Sequence, residues 1–394
     1  MTEWRDLNPR LSWAGWALPT VAIALSLGGI LAIYISETRS EVGPISTMRQ
    51  IAYLAGGLLA FTAVVGIGHE RLAERAYWLY GITLGLLVLL LIARKVPLEP
   101  FIRPRRNAYR WIELGPVRLQ VSEVAKIALV LATAWYLRFK TSHRTLRGLI
   151  PPALLALAPT VLVLLEPDLG TAMLFIPVSF AMIFAAGARR RHVLSLAAAA
   201  LVAAPAFYFS PLMSPYQRVR VQVLLRQNEE DRAWQRAAGY QLRQSKIAIG
   251  SGGWRGAGLQ PAAFFRHKLL PEDHNDFIFA VLAHQWGFVG CLALLAAYVG
   301  MAGLCLLIAS GTVDPVGRLV AVGVAAMFFV QMFVNVGMTI GLLPITGMTL
   351  PLVSFGGSSL IANYAALGLV CSVARRRSIL LARRAFEFVE GDEA

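Results

Sequence analysis

Long apolar runs without charge are the feature that most limits what this chain can fold into. The first covers residues 16–35 and contains no charged side chain. A helix of roughly 20 apolar residues spans the hydrocarbon core of a bilayer. Only 15% of the 394 residues are charged, whereas soluble domains have about 25%. The pattern predicts an all-α polytopic membrane protein, and the first run is too long for the apolar region of a signal peptide.

Further segments share this apolar character, so we expect about ten transmembrane helices. The whole chain, residues 1–394, is predicted to be one transmembrane domain. A long extracytoplasmic loop, residues 210–276, connects the seventh span to the eighth. The eighth span is longer than a bilayer requires and is expected to tilt or break. The predicted spans cover residues 16–35, 51–68, 76–93, 121–137, 149–165, 171–187, 193–209, 277–308, 319–343 and 360–374.

Lysine and arginine predict the orientation of these spans. Basic residues occupy the short loops on the side of the two termini, among them Arg71, Arg75 and residues 189–191. The positive-inside rule makes that side cytoplasmic, so both termini are predicted to be cytoplasmic. The same rule and anionic lipid account for the net charge of +15, and no nucleic-acid partner is expected.

Two segments on the outer side are also strongly basic, against the orientation rule. They are residues 94–118, which include Arg110, and the loop 210–276, which includes Arg218 and Lys246. Basic residues kept on this side indicate an anionic ligand there. Contact with headgroups of the outer leaflet is the alternative.

Charged and aromatic side chains precede and open the fourth span. Glu123 and Lys126 are three residues apart, so they share a helix face and can pair. Each alone would cost on the order of 2.5–3.5 kcal/mol deep in the bilayer. They are either a structural ion pair or the floor of an outward-facing cavity. Trp111, beside Arg110, is either an interfacial belt residue or a platform on which a sugar ring stacks.

Two further polar segments have both a structural and a functional interpretation. Asp168 precedes the sixth span and is interpreted first as a helix N-cap; with Glu166 it alternatively holds a basic side chain or a metal ion. Near Gln244, Lys246 stands beside several glycines, which favours phosphate contact in an anion-binding nest, unless the glycines only form a flexible turn. No P-loop occurs in the sequence, so ATP is not implied.

The segment 343–359 is apolar but contains two prolines and three glycines, which break any helix. Irregular backbone at membrane depth persists only where it is buried in protein or lines a cavity. We therefore expect this segment to form one wall of a site. Gln331 and Asn335, on the ninth span, are expected to form hydrogen bonds to other helices.

The segment 270–279, LPEDHNDFIF, brings Glu272, Asp273, His274 and Asp276 to the start of the eighth span. Charge at the rim of a membrane helix is costly and usually serves a site. Asp276 is either an N-cap, a general base for a sugar hydroxyl, or a ligand of a divalent cation such as Mg or Mn. Among its neighbours, His274 is the one expected to contact substrate or metal.

These motifs, in this order and at these membrane positions, resemble the SEDS family (shape, elongation, division and sporulation proteins). The resemblance covers nearly the whole chain. The segment QSKIAIGSGG from Gln244 looks like the elongation branch, RodA, more than the division branch, FtsW. The blocks that carry the resemblance are RWI from Arg110 with SEVAK from Ser122, EPDLGT from Glu166, LPEDHNDFIF from Leu270, and GLLPITG from Gly341 with SFGGSS from Ser354.

The resemblance implies a peptidoglycan glycosyltransferase that polymerises lipid II into glycan strands on the outer face of the bacterial cytoplasmic membrane, during cell elongation and shape maintenance. It implies lipid II and polyprenyl diphosphate as ligands, and a class B penicillin-binding protein and other elongation-machinery proteins as partners. It places the essential carboxylate at Asp276. The predicted substrate-binding residues are Arg110, Trp111, Glu123, Lys126, Asp168, Arg218, Gln244, Lys246, His274 and Ser358.

Three other functions remain open on the sequence. A lipid II flippase has the same polar cavity, but no inverted repeat and no matching polar set near the inner rim support it. A division-type or sporulation-type polymerase of the same family is the second. A scaffold for the penicillin-binding protein is the third, and it leaves Asp276 without a reason to be charged. The chain departs from the family at residues 283–287, AHQWG, where the family usually has AEELG, so no required charge is assigned there.

Overall fold

The computed structural model describes residues 9–37, 45–96, 101–103, 109–115, 117–140, 145–211, 213–227, 238–258 and 274–375. Most of this part of the chain is helical. The long helices are α1 (Pro9–Glu37), α2 (Ile45–Ile67), α4 (Ala76–Ala93), α5 (Val121–Leu137), α6 (Ile150–Leu165), α7 (Leu169–Ala185), α8 (Arg190–Phe209), α11 (Ile278–Gly311), α12 (Pro315–Ile340) and α13 (Gly357–Arg375). Shorter helices are α3 (His69–Glu74), α9 (Pro215–Leu225) and α10 (Tyr240–Ser251).

The helices confirm the prediction of an all-α polytopic membrane protein. Within the described residues, 8 helices are long and apolar enough to cross a membrane. The two other predicted spans correspond to α5 and α7, each of 17 residues. The total of ten, the orientation of the termini, and the extent of the extracytoplasmic loop stay predictions. Part of that loop, residues 228–237 and 259–273 with Glu272 and Asp273, lies outside the described residues.

A short hairpin precedes α5, and the sequence did not predict it. Strand β1 (Trp111–Leu114) pairs antiparallel with β2 (Val117–Gln120), and Trp111 is opposite Gln120. Gly115, with a φ of +64°, lies in the connection between the two strands. The hairpin leads directly into α5, so it fixes Trp111 and Gln120 beside the first turn of that helix.

Helix α11 is interrupted at Gly287, as the length of the eighth predicted span led us to expect. Gly287 has φ +64° and ψ −164°, which is far from helical. The glycine-rich segment after α10 contacts the interruption backbone to backbone: the amides of Ala257 and Gly258 donate to the carbonyls of His284 and Gln285 at 2.8 and 3.0 Å. These two amides are thereby used in packing, and the alternative of an anion-binding nest does not apply to them.

Helices α12 and α13 form the centre of the described structure. In their most apolar windows, 67% of α12 and 78% of α13 are buried, while α8 has no buried residues in its window. Between α12 and α13 the backbone is irregular over residues 341–356, as the prolines and glycines predicted. This irregular segment lies in the interior, because Ile345, Leu350 and Val353 are all buried.

Candidate active site

Asp276 lies in a turn, residues 274–277, immediately before α11. The N-cap of α11 is Phe277, without a side-chain cap hydrogen bond, so Asp276 is not a helix cap. Other elements hold the turn by its backbone: Asn335 donates its Nδ2 to the carbonyl of Asp276 at 2.9 Å, and Ser354 donates its hydroxyl to the carbonyl of Asn275 at 2.7 Å. These contacts fix the position of the partly exposed Asp276 without using its carboxylate.

A carboxylate and a guanidinium both lie against the glycine at position 347. Gly347 has a φ of +76°, and a Cβ placed on it would lie 3.4 Å from Oδ2 of Asp276 and 3.1 Å from Nη1 of Arg220. The guanidinium of Arg220 also lies over the ring of Tyr216, 4.5 Å from its centroid. Arg220 was not among the predicted site residues, yet the structure places it beside Asp276.

Arg218, which was predicted to bind substrate, has a different position from Arg220. It donates Nη2 to the carbonyl of Ser210 at 2.6 Å, at the end of α8. The two arginines are two residues apart on α9 and therefore point in different directions around the helix. The sequence shows that both are basic but does not show which of them faces Asp276.

A second polar group surrounds Asp168. Its carboxylate accepts hydrogen bonds from the amide of Thr171 at 3.3 Å and the hydroxyl of Thr171 at 3.0 Å. The N-cap interpretation is therefore confirmed. Gln120 and Ser122 add longer contacts at 3.3 Å. The backbone amide of Gln120 donates to the hydroxyl of Ser358 at 3.0 Å. The starts of α5, α7 and α13 therefore meet here.

Glu123 and Lys126 form an ion pair on the first turns of α5. Their Oε2 and Nζ atoms are 2.7 Å apart, and the side chains are only 7% and 2% exposed. A pair this buried is strongly destabilised when one partner is removed, because the other charge is left without compensation. The geometry agrees with pairing on one helix face and leaves open whether the pair also serves a ligand.

Arg110 contacts backbone rather than another charged side chain in the described structure. It donates Nε to the carbonyl of Glu166 at 2.8 Å and Nη2 to the carbonyl of Pro167. Arg94 donates to the carbonyl of Leu165 at 2.9 Å. Both arginines therefore satisfy carbonyls at the C-terminal end of α6, where cations are favourable.

Glu166 is a buried carboxyl in the turn between α6 and α7. Burial raises its pKa to about 9, the charge of Asp168 acts in the same direction, and Arg110 and Arg94 oppose the rise. Its Oε1 has no hydrogen-bond partner among the described residues. Burial therefore favours the neutral form of the Glu166 carboxyl.

The groups around Asp168 and Asp276 lie on two sides of one stretch of backbone. A Cβ on Gly170, at the start of α7, would lie 3.2 Å from Thr346 and 3.3 Å from Met348. Gly347, which lies between Thr346 and Met348 in the chain, faces the carboxylate of Asp276. The carbonyl of Met348 accepts a hydrogen bond of 2.6 Å from Asn335, the residue that also holds the Asp276 turn. The irregular segment thus forms the wall between the two groups.

Gln244 and Lys246 lie farther along, on α10. Ser245 donates its hydroxyl to the carbonyl of Thr339 at 2.8 Å, which fastens α10 to α12. Lys246 donates to the side chain of Gln227 and lies over Gly341, at the end of α12. Oε1 of Gln244 is buried without a partner among the described residues. The structure places Lys246 at the C-terminal end of α12, and Arg110 and Trp111 beside the Asp168 group.

The divalent cation predicted at Asp276 stays a prediction, because the neighbouring Glu272 and Asp273 lie outside the described residues. No group of three or more His, Cys, Asp or Glu in the described part of the chain is arranged to hold a metal ion. No chemical step is therefore derived through a metal.

A protein-family model, FTSW_RODA_SPOVE, described as "Cell cycle protein", matches residues 14–379. A curated relative, "Peptidoglycan glycosyltransferase MrdB" of Escherichia coli strain K12, is 38% identical over 91% of this chain and 93% of its own length. Another, "Peptidoglycan glycosyltransferase RodA" of Treponema pallidum, is 30% identical over 90% of this chain and 96% of its own length.

Solved structures are similar over the same extent. One belongs to work described as "Structural coordination of polymerization and crosslinking by a peptidoglycan synthase complex". It matches with a TM-score of 0.75 and 32% identity, over 94% of this chain and 98% of that chain. The rod shape determining protein RodA of Thermus thermophilus matches with a TM-score of 0.65 and 30% identity, over the same two fractions.

Proposed function

This chain belongs to the FtsW/RodA/SpoVE family of cell cycle proteins, and from that premise we propose that it polymerises lipid II into glycan strands on the outer face of the membrane. It is a peptidoglycan glycosyltransferase, the activity that its curated relatives carry in their names. It is a multi-pass protein of the bacterial inner membrane. The relatives named MrdB and RodA favour a role in cell elongation and shape.

The observation that carries the chemistry is that the carboxylate of Asp276 and the guanidinium of Arg220 both lie against Gly347. Glycosyl transfer needs a base for the attacking hydroxyl and positive charge for the leaving group. Asp276 supplies a carboxylate that is not used as a helix cap and is fixed through its backbone by Asn335. Arg220 supplies the charge from the neighbouring helix α9.

In the proposed reaction, the 4-hydroxyl of the acceptor sugar attacks the anomeric carbon of the donor. The bond from this carbon to the diphosphate oxygen breaks as the new glycosidic bond forms. Asp276 takes the proton of the hydroxyl, and polyprenyl diphosphate leaves with the bonding electron pair. Arg220 stabilises the negative charge that develops on the leaving diphosphate, in an arrangement that exists before the reaction.

The partner is proposed to be a class B penicillin-binding protein that crosslinks the strands. A similar solved structure is part of a complex described as coordinating polymerization and crosslinking, which supports this assignment. The other proposed elements are the cytoplasmic termini and the role of further elongation-machinery proteins. A divalent cation remains a proposal that depends on residues such as Glu272 and Asp273, outside the described part of the chain.

The test is polymerisation of lipid II by the purified protein in detergent, where no leaflet exists. We expect wild-type protein to give glycan polymer and Asp276→Ala protein to give none, with both eluting as the same folded species in size-exclusion chromatography. A flippase or a scaffold gives no polymer in this assay. Polymer at the wild-type rate from Asp276→Ala protein would show that the base lies elsewhere.

A further inference from the structure

The turn that carries Asp276 is held through successive backbone carbonyls. The amide of Phe355 donates to the carbonyl of His274 at 2.9 Å. The hydroxyl of Ser354 donates to the carbonyl of Asn275 at 2.7 Å, and the contact from α12 described above holds the next carbonyl along. Two of these three hydrogen bonds come from adjacent residues of the irregular segment. The place of the Asp276 carboxylate therefore depends on where that part of the segment lies.

The irregular segment includes backbone that is not relaxed. Leu352 has a φ of +66°, a conformation that an L side chain rarely adopts and that persists only where surrounding contacts enforce it. One such contact is local, because the amide of Leu350 donates to the hydroxyl oxygen of Ser354 at 2.8 Å. The shape of the segment also depends on the helices that pack around it.

Gln50, in the second turn of α2, holds the segment on both sides of Phe355. Its Nε2 donates to the carbonyl of Ser354 at 3.0 Å, and its Oε1 accepts from the amide of Gly356 at 3.3 Å. The side chain is fully buried, with 0% exposed. One amide group therefore joins the backbone that precedes Phe355 to the backbone that follows it, and its loss would leave both backbone groups without this partner.

Tyr53 adds a second contact from the same face of α2, three residues after Gln50. Its ring lies 6.0 Å from the ring of Phe355, centroid to centroid. A Cβ on Gly357, at the start of α13, would lie 2.8 Å from Cε1 of Tyr53, so α2 and the segment approach each other closely. The position of α2 thus limits where residues 354–357 can lie.

The first turn of α2 is in turn fixed to the end of α1. The carboxylate of Glu37 accepts hydrogen bonds from the amides of Ser46 and Thr47, both at 3.0 Å, which satisfies donors that a helix start leaves unpaired. Only 11% of the most apolar window of α2 is buried. A helix at the periphery of the described structure therefore reaches the reactive turn through one buried amide.

We propose that Gln50 is a positioning residue for glycosyl transfer, which acts on Asp276 through Ser354 and Phe355. The assignment rests on the proposed role of Asp276 as the base. Gln50 binds neither sugar nor diphosphate; it fixes the backbone that donates to the carbonyls of the turn. Without it, the carboxylate is less often within reach of the acceptor hydroxyl, so kcat falls. The groups that bind lipid II are unchanged, so KM stays.

The test is Gln50→Met, which keeps the length of the side chain and removes its amide. The control is Tyr364→Phe, which removes another buried hydrogen bond, the contact of 3.0 Å between the hydroxyls of Tyr364 and Ser26. Tyr364 also packs against α2, because a Cβ on Gly57 would lie 2.7 Å from its ring. The hydrogen bond of the control joins α13 to α1 rather than to the irregular segment.

We expect Gln50→Met to lower the kcat of lipid II polymerisation about tenfold to a hundredfold, with KM within about twofold of wild type. The control should keep both constants, although each variant lowers the Tm. A kcat of Gln50→Met that matches the control overturns the assignment, and so does a rise in KM with unchanged kcat. If Gln50→Met protein does not fold, Gln50→Asn decides, because its shorter amide cannot reach both backbone groups; the same outcomes apply.

A double change tests the route of the effect. Ser354→Ala removes the hydroxyl that donates to Asn275 and should also lower kcat. Because Gln50 acts on the same backbone, Gln50→Met combined with Ser354→Ala should lower kcat by less than the product of the two separate factors. A loss equal to that product means that the two residues act independently, and it overturns the route.

Hydrogen exchange measured by mass spectrometry examines the turn without turnover. The peptide that covers residues 274–282 should exchange faster in Gln50→Met protein than in wild type or Tyr364→Phe protein. Equal exchange in all three overturns the coupling. Faster exchange with unchanged kcat overturns the positioning role together with the role of Asp276. If wild-type protein forms no polymer, the proposed function fails, whereas the exchange result still decides whether Gln50 holds the turn.

Discussion

The two ends of helix α12 contact two aspartates in different ways. Asp314 caps its first turn, whereas Asp276 lies against its last turns. Asp314 accepts hydrogen bonds from the amides of Val316 and Gly317 at 3.1 and 2.7 Å and from Nε2 of His69 at 2.9 Å. Asn335 of α12 holds the backbone carbonyl of Asp276, and the carboxylate of Asp276 lies, like the guanidinium of Arg220, against Gly347.

The difference shows that residue types alone do not identify a reactive site. Ser372, His69 and Asp314 are the residue types of a hydrolase triad and are in contact. However, Ser372 donates its hydroxyl to the carbonyl of Leu369, and His69 is 2% exposed. This group joins α3, α12 and α13 and has its hydrogen bonds satisfied internally. Asp276 is instead partly exposed, and its turn is held by side chains of α12 and of the irregular segment.

Replacing each of the two aspartates by asparagine tests whether Asp276 is reactive and Asp314 structural. We expect Asp276→Asn to lower the rate of lipid II polymerisation about 10²–10⁴-fold, the contribution of a general base, with an unchanged Tm. Asp314→Asn should lower stability by about 1–3 kcal/mol, because the amide nitrogen that replaces one carboxylate oxygen cannot accept a hydrogen bond from Gly317 or His69, with normal specific activity. Polymerisation rate and Tm of both purified variants are the measurements. The reverse pattern would exchange the two roles.

Substitutions of Glu123 and Lys126, the buried ion pair of α5, test whether these paired charges also bind substrate. Lys126→Met should destabilise the protein by about 3–5 kcal/mol, because Glu123 is left buried and unpaired. Replacing both residues by Met should restore most of the Tm. If activity returns with stability, the pair is structural; if the stable double variant does not polymerise lipid II, the charges serve the site.

A side chain at position 347 would press against both the carboxylate of Asp276 and the guanidinium of Arg220. We expect Gly347→Ala to cost about 1–2 kcal/mol from its left-handed backbone and to reduce polymerisation about tenfold by separating the two groups. The control is Gly250→Ala, in α10, where a Cβ meets nothing within 4 Å. That control should keep full activity, and equal activity of the two variants would remove Gly347 from the site.

The smallest expected effect concerns Glu166, whose pKa is about 9 against an ordinary 4.5. A raised pKa in the folded state contributes stability that is complete below about 4.5 and is lost as the pH rises through 9. Glu166→Gln should therefore match the wild-type Tm near pH 5 and exceed it by a few degrees near pH 9. Thermal melting across this range is the measurement, and parallel pH profiles would contradict the buried neutral carboxyl.

The sequence predicted most of the fold because hydrophobic length is a local property. Helices occur at every predicted span, and the irregular wall after α12 was expected from Pro344, Gly347 and Pro351. The β1–β2 hairpin was missed, because four-residue strands carry little periodic signal. Residues that pair locally were also predicted, as Glu123 with Lys126 and Asp168 with its own helix show.

The sequence therefore predicts a polytopic membrane protein, the positions of its helices and a set of candidate polar residues. Tertiary structure alone decided which of them meet. It separated Arg220 from Arg218, made Phe277 rather than Asp276 the cap of α11, gave Arg110 backbone carbonyls as partners, and placed Lys246 at the end of α12. The physical reason is that apolar length and helix capping act between near neighbours, whereas these contacts join residues far apart in the chain, whose directions depend on how the helices pack.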